Sequence, residues 1–241
     1  MTKTAILKPF LQPFISDFSF IPETLPFSSE EIMVLDNELS VYEQIYLNPD
    51  IEKNLISKNE LLASFAISKA ENSQLTLAEA QDVYLLEKFE VKEKLTQKDH
   101  DKLEFFNILK TFRSFNVKPF AIDDLTEDLI CEIHKSLTGG LDVFKDYLTD
   151  FTVYKSGNWR DNDLIRVGKY VPAPYLEIEK GVRELIDWLK KNQTVTGIAV
   201  FHTSLYGLHP FNNGNKRICR ILEHILLRSL NFNNKNLYST S

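Results

Sequence analysis

Only two cysteines occur in 241 residues, Cys131 and Cys219, far apart and outside any CxxC or Cys/His cluster. That excludes a disulfide scaffold and a structural zinc site, and it predicts reduced thiols in a cytoplasmic setting. Positive charge is not in excess either: 28 Lys and Arg stand against 34 Asp and Glu, a net charge of −6. A surface built to neutralise nucleic-acid phosphates is therefore not expected, and any anion site must be local. Lys3 and Lys8 open the chain, but Pro9, Pro13 and Asp17 interrupt anything that could become a signal-peptide core or a membrane span. Neither targeting nor a membrane partner is predicted. There is no internal repeat, no low-complexity tract and no linker between two cores, which points to one helical domain with a peripheral N-terminal part. What is present is an ordinary globular mix, 43% hydrophobic and 26% charged, able to bury about three quarters of its extended surface.

Residues 1–28 hold five Phe and four Pro without a helical or strand period, and read as an extended arm whose aromatics pack on a folded body. Ser28 with Glu31 forms a capping box ahead of Ile32, Leu35 and Leu39, a helix expected to stop near Asn48-Pro49. Ser57 with Glu60 predicts a second start, with Leu61, Leu62, Phe65 and Ala66 as its buried stripe and Asn72 as a left-handed terminator. Thr76 with Glu79 predicts a third, and further periods run over Asp99–Phe115 and Thr126–Leu137 before Gly139-Gly140. From Asp142 to Pro174 the period is lost, and Leu164–Val171 is the one segment that reads as a β-hairpin. Apolar stripes then return around Ile178–Leu189, Ile198–Tyr206 and Ile218–Leu226, so the expected fold is mainly α.

The chemistry concentrates in His209-Pro210-Phe211-Asn212-Asn213-Gly214-Asn215-Lys216-Arg217-Ile218-Cys219-Arg220. Gly214 and Asn215 directly precede an apolar-periodic helix, whose first-turn N–H groups point outward as an anion cradle. Arg217 and Arg220 are three apart and share a helix face, where two guanidinium forks can hold a polyphosphate. Arginine in a first turn opposes the helix dipole and needs a reason, which an anion supplies. His209 beside them can take a proton from an attacking hydroxyl at neutral pH. His100, His134, His202 and His224 lack such company and read as helix residues satisfied locally.

These twelve residues resemble the signature of the Fic (filamentation induced by cAMP) family, HPFx[D/E]GN[G/K]RxxR, at seven fixed positions. The likeness extends over about residues 50–241, with Ser156–Pro174 resembling the family's flap hairpin. It implies a Fic-type helical bundle with a small β-hairpin flap, divided as an arm and helix over 1–49, helices with an inhibitory segment over 50–95 and a catalytic core over 96–241. It also implies more helix beyond Leu237-Tyr238-Ser239, so that the chain reads as a naturally short form or a fragment. The implied activity is transfer of AMP from ATP to a Ser, Thr or Tyr hydroxyl of a protein target, with ATP and Mg²⁺ as cofactors. By position, His209 is the general base, Phe211 a core anchor, Gly214 and Asn215 the anion hole, and Lys216, Arg217 and Arg220 phosphate ligands. The metal-holding carboxylate falls on Asn213, a neutral and poorer ligand for a hard cation. Lys216 matches the Doc-type branch, which implies phosphotransfer as one alternative, and a nucleotide-binding member without turnover as another.

Ser68-Lys69-Ala70-Glu71-Asn72, followed by Thr76 and Glu79, resembles the inhibitory helix of the same family, pattern [S/T]xxxE[G/N], although the Ser/Thr position falls on Ile67 and the nearest hydroxyl is Ser68. The resemblance implies that Glu71 restrains the enzyme, and Arg220 is its expected partner. Lys155, Arg160, Arg166 and Lys169 make the flap region basic, either as a solvated edge or as a docking edge where Lys169, Tyr170 and Val171 pair with an extended target segment.

Overall fold

The computed structural model describes residues 28–42, 44–90, 96–116, 120–142 and 154–233. All but the last residue of the expected Phe/Pro arm lies outside them. Eight α-helices occur among the described residues: α1 Ser29–Tyr42, α2 Pro49–Ala70, α3 Leu77–Tyr84, α4 Gln97–Asn116, α5 Glu127–Thr138, α6 Ile178–Lys191, α7 Val195–Leu208 and α8 Asn215–Ser229. Their arrangement is a bundle in which α2 packs on α4, α4 on α5, α6 on α7 and α7 on α8. None of these helices is long and apolar enough to cross a membrane.

The main core is the meeting of four apolar stripes. Ile130, Ile133 and Leu137 of α5, Val182, Leu185 and Leu189 of α6, Ile198, Phe201 and Leu205 of α7, and Ile218, Ile221, Leu222 and Ile225 of α8 are all buried in one cluster. Each set recurs at three- and four-residue steps, so one face of each helix is apolar and the stripes close on each other. A smaller cluster of Leu75, Ala80, Val83, Phe105 and Leu109 seats α3 against α4.

Several helix starts follow local chemistry. Ser28 and Glu31 make the expected reciprocal box, as do Thr76 and Glu79. Asn72 takes φ 65° just past α2. The start of α2 differs from expectation. It begins at Pro49, with the Asn48 side chain accepting from Asp50 N at 2.9 Å, and Ser57 lies inside the helix. Proline fixes the φ that a first helical position wants and has no N–H to orphan there, so Asn48-Pro49 opens a helix. Glu60 does not cap anything; it bonds Arg113 Nε at 3.1 Å and Asn116 across the bundle.

The expected hairpin is reduced to a tight turn. Val167 and Tyr170 form one antiparallel bridge, with hydrogen bonds of 3.0 and 2.9 Å, and no ladder extends from it among the described residues. The segment 154–174 is instead an irregular strap over the end of α7.

Where α7 begins, Thr194 Oγ1 accepts from Gly197 N at 3.0 Å, and a Cβ on Gly197 would lie 1.9 Å from the Asn192 carbonyl oxygen. Backbone cannot yield there without breaking the turn. Gly197→Ala is expected to cost about 2–3 kcal/mol. Gly168→Ala, where only a φ of +60° opposes a side chain and nothing lies within 4 Å, should cost about 1 kcal/mol. Urea midpoints of the two variants check this, and equal midpoints would remove the close approach as a constraint.

Candidate active site

Two helix ends face each other across a loop of six residues. α7 stops at Leu208 because His209 adopts the left-handed conformation, φ 54° and ψ 61°, while its N–H still bonds the Leu205 carbonyl at 3.1 Å. α8 starts after Gly214, also left-handed at φ 81°. A side chain at Gly214 would be strained by that φ and would also crowd Thr138 and His134. The loop is held from within by Asn215, whose side chain donates to the Phe211 carbonyl at 2.7 Å and accepts from Phe211 N at 3.0 Å. Phe211 itself is fully buried, stacked on His134 with ring centroids 3.7 Å apart and tilted against Trp159 at 4.8 Å.

His134 is a hinge between segments that the sequence leaves unconnected. Its Nδ1 accepts from Gly157 N at 3.0 Å, so its Nε2 carries the hydrogen and donates to the Asn213 carbonyl, also at 3.0 Å. It thus fixes the motif loop to the strap over α7.

A cleft of about 530 Å³ opens at this junction, lined by His209, Asn212 to Lys216, Tyr206, Glu71 and the strap residues 164–167. A smaller hollow of about 220 Å³, bounded by Ile67, Ala70, His202 and Arg220, shares Tyr206 and Lys216 with it. The first-turn N–H groups of Asn215 and Lys216 stand at the positive end of α8 on the cleft wall, where an anion is favoured.

His209 lines this cleft, mostly buried. Burial pushes its pKa down to about 4, with the charges of Arg160 and Lys216 acting in the same direction and the Tyr206 carbonyl opposing them. The imidazole is therefore neutral at physiological pH. Its Nδ1 is buried with no well-aligned hydrogen bond, which leaves Nε2 as the nitrogen that can reach a ligand.

The cations expected to share a phosphate do not stand together. Arg217 is 1% exposed, and its Nη1 pairs with Glu104 Oε2 of α4 at 3.0 Å. Burial alone would weaken its hold on a proton, but Glu104, Tyr154 and Glu71 reverse this and raise its pKa. Burial raises the Glu104 pKa, and the charge of Arg217 offsets that only in part. Ser68, expected on the inhibitory segment, is buried against Glu104 with Oγ 3.4 Å from Oε1. Glu71 lies 3.9 Å from Arg217 Nε, while its expected partner Arg220 pairs with Glu223 at 3.7 Å. Lys216 reaches the other way, donating to the carbonyl of Ala70, the last residue of α2, at 3.2 Å. Asn72 follows Glu71 in the left-handed conformation, φ 65°.

Asn213, expected to hold a metal, spends its side chain locally. Its Oδ1 accepts from Gly214 N at 2.7 Å and faces Arg217 Nη2 at 3.5 Å. A neutral amide so engaged, with a cation beside it, does not fit a hard divalent ion. Among the described residues no group of three His, Cys, Asp or Glu could hold a metal.

On the strap, Lys169 is exposed, whereas Tyr170 and Val171 are half-buried. Tyr170 donates its hydroxyl to the Gly207 carbonyl at 2.8 Å. Arg160, read from sequence as part of a solvated or docking edge, is 3% exposed. Composition cannot distinguish a buried arginine from a surface one, and neither Glu104 nor Arg160 carries a local signal that would have found it.

A sequence model of the Fic/DOC family matches residues 124–227. The chain is 27% identical over 131 residues to the probable protein adenylyltransferase aq_aa38 of Aquifex aeolicus, covering 52% of this chain and 37% of that protein. It is 25% identical over 115 residues to the protein adenylyltransferase fic-1 of Caenorhabditis elegans, covering 46% of this chain and 20% of that protein. Thus the matches span well under half of either relative's length. Among solved structures, a Fic family protein from Desulfovibrio desulfuricans superimposes with a TM-score of 0.62 at 20% identity, covering 90% of this chain and 62% of that one. Fic-1 of C. elegans gives 0.61 at 18% identity, covering 83% and 57%. At such identity the likeness is one of fold.

Three buried histidines make folding pH-dependent. His134 and His209 titrate at about 4 and His224 at about 3 when folded, all by burial first, against about 6.5 unfolded. Below 6.5 the unfolded chain takes up protons that the folded chain refuses, so stability falls as pH drops from about 6.5 towards 4. The slope reaches about 1.4 kcal/mol per pH unit for each histidine. Urea midpoints measured between pH 7.5 and 5.5, before most carboxylates titrate, should fall; a flat profile would mean that these imidazoles are not buried neutral.

Proposed function

The chain belongs to the Fic/DOC family through residues 124–227, and on that premise we propose that it is a protein adenylyltransferase, moving AMP from ATP to a hydroxyl side chain of a protein target. The observation that carries the proposal is the neutral imidazole of His209 on the same cleft wall as the free first turn of α8. The names of the relatives from A. aeolicus and C. elegans support the same reading.

His209 takes the proton of the target hydroxyl through Nε2 as the oxygen attacks the α-phosphorus. The bond from that phosphorus to the bridging oxygen breaks and pyrophosphate leaves. Charge gathering on the phosphoryl oxygens is met by the N–H groups of Asn215 and Lys216, donors fixed in place before the reaction, and by the Lys216 ammonium once it leaves the Ala70 carbonyl. The Asn215 side chain serves the loop rather than the anion. Arg217 acts from behind the cleft wall by holding α8, and Arg220, paired with Glu223 on the rim of the smaller hollow, contacts the far end of the polyphosphate. Because Asn213 is engaged internally, the transfer relies on this chain's own donors.

Glu71 is assigned the restraining role. Its carboxylate lines the cleft at the negative end of α2, where it repels a polyphosphate and competes for the cations that would hold one. Target docking falls to the strap, with Lys169 exposed and Val171 accessible beside the single bridge.

The experiment is incubation of wild type and Glu71→Gly with ATP carrying the label at either the α- or the γ-phosphate, followed by intact mass of the protein. The variant should gain the mass of AMP with the α-label at about 10-fold or more the wild-type rate, a barrier change of about 1.4 kcal/mol. Transfer of γ-label would replace this reading with phosphotransfer, and ATP binding with neither label transferred would replace it with a silent nucleotide-binding protein.

A further inference from the structure

A helix leaves the carbonyls of its last turn without intrahelical donors, and these carry its negative end. At α7 the strap supplies what is missing. Tyr170 donates to Gly207 at 2.8 Å, Arg160 Nε donates to the His209 carbonyl at 2.8 Å, and the Arg160 backbone N–H donates to Pro210 at 2.9 Å. The same guanidinium reaches the carbonyls of Asn162, at 2.8 Å, and of Ala173. Its carboxylate contact is Asp163 at 3.3 Å, whose side chain is largely exposed. A buried guanidinium satisfied mostly by backbone carbonyls is costly, and a loop that needed only anchoring could use a neutral donor.

We propose that Arg160 is a positioning residue of the transfer reaction: by capping α7 and pinning the carbonyls of His209 and Ala173, it makes the base and the strap over the cleft one rigid unit. His209 sits in a left-handed conformation that a residue with a side chain adopts only under constraint, and Arg160 supplies constraint on its carbonyl side. The guanidinium also takes the position at the end of α7 that favours a cation, so the neighbouring imidazole has less reason to become one. The other charged or titratable groups facing His209 in the cleft are Lys216 of α8, Glu71 at the end of α2, Arg166 on the strap and Tyr206 of α7. Arg160 differs from them in bonding the histidine's own backbone.

The kinetic half of this inference rests on the adenylyl-transfer reading; the titration half does not. Arg160→Gln removes the charge and Arg160→Lys keeps it without the planar fork. Nuclear magnetic resonance of the His209 ring proton is read against pH in both, with circular dichroism confirming the fold. The His209 midpoint is expected to rise from about 4 by about one unit in Arg160→Gln and to stay low in Arg160→Lys. In both variants, combined with Glu71→Gly, kcat should fall about 10- to 100-fold with little change in KM for ATP. Where Arg160→Gln fails to fold, Arg160→Lys decides by the split between kcat and KM. An unmoved His209 midpoint in folded Arg160→Gln, or a loss confined to KM, would overturn the proposal. Absence of transfer in the Glu71→Gly parent would instead defeat the adenylyl-transfer reading and leave the titration to judge this one.

Discussion

The burial of Arg217 is the constraint on which the site depends. A guanidinium in the first turn of a helix stands at the positive end of the dipole, and removing it from water adds a desolvation penalty. Neither cost is tolerable without carboxylates. Glu104 of α4 supplies one at 3.0 Å and Glu71 at the end of α2 a second at 3.9 Å, while the ring of Tyr154 lies 5.2 Å below the charge. Three helices and the start of the strap are thereby drawn to one point. Removing one partner of such a buried pair typically costs about 3–5 kcal/mol, because the other is stranded. The result is that α8 starts at one place and in one direction, so the orientation of its free N–H groups is inherited from a salt bridge on the far side of the wall.

The second consequence concerns the loop between α7 and α8. Phe211 is driven into the core between His134 and Trp159, and the Asn215 side chain replaces two backbone partners that the loop cannot find for itself. With both ends left-handed, the loop places a negative helix terminus beside a positive one. A neutral imidazole hangs on the first and an anion cradle stands on the second. His209 and the first turn of α8 are close because one short turn separates two oppositely polarised helix ends, and no further element is needed to bring them together.

How much of this was legible in the sequence depends on how far each cause reaches along the chain. The apolar stripes of α5 to α8 and the boxes at Ser28 and Thr76 are local patterns, and each predicted its element. Asn48-Pro49 was read the wrong way round because proline ends one helix and opens the next by the same loss of an N–H. Ser57 with Glu60 imitated a capping box, but Glu60 answers to Arg113 and Asn116, 53 and 56 residues away. The motif places His209 beside the start of α8 because both are set by neighbours in sequence. A first-turn Arg217 calls for an anion, and the one beside it in the structure is Glu104, one of 34 acidic residues with nothing local to single it out. Arg160 is hidden for the same reason, since apart from the exposed Asp163 its partners are backbone carbonyls, which composition never shows.

These long-range partners also decide what the cleft prefers. With Arg217 neutralised behind the wall, the cationic side chain nearest the first turn of α8 is Lys216, and it donates to the carbonyl of Ala70, next to Glu71. The end of α2 and the start of α8 therefore share one ammonium. An anion at the first turn of α8 would compete with the Ala70 carbonyl for that ammonium. Conversely, a firmly seated α2 leaves the cradle with backbone donors alone and a carboxylate nearby. A glycine at position 216 would remove this bond between the two helix ends, which in the present chain ties the start of α8 to the last carbonyl of α2.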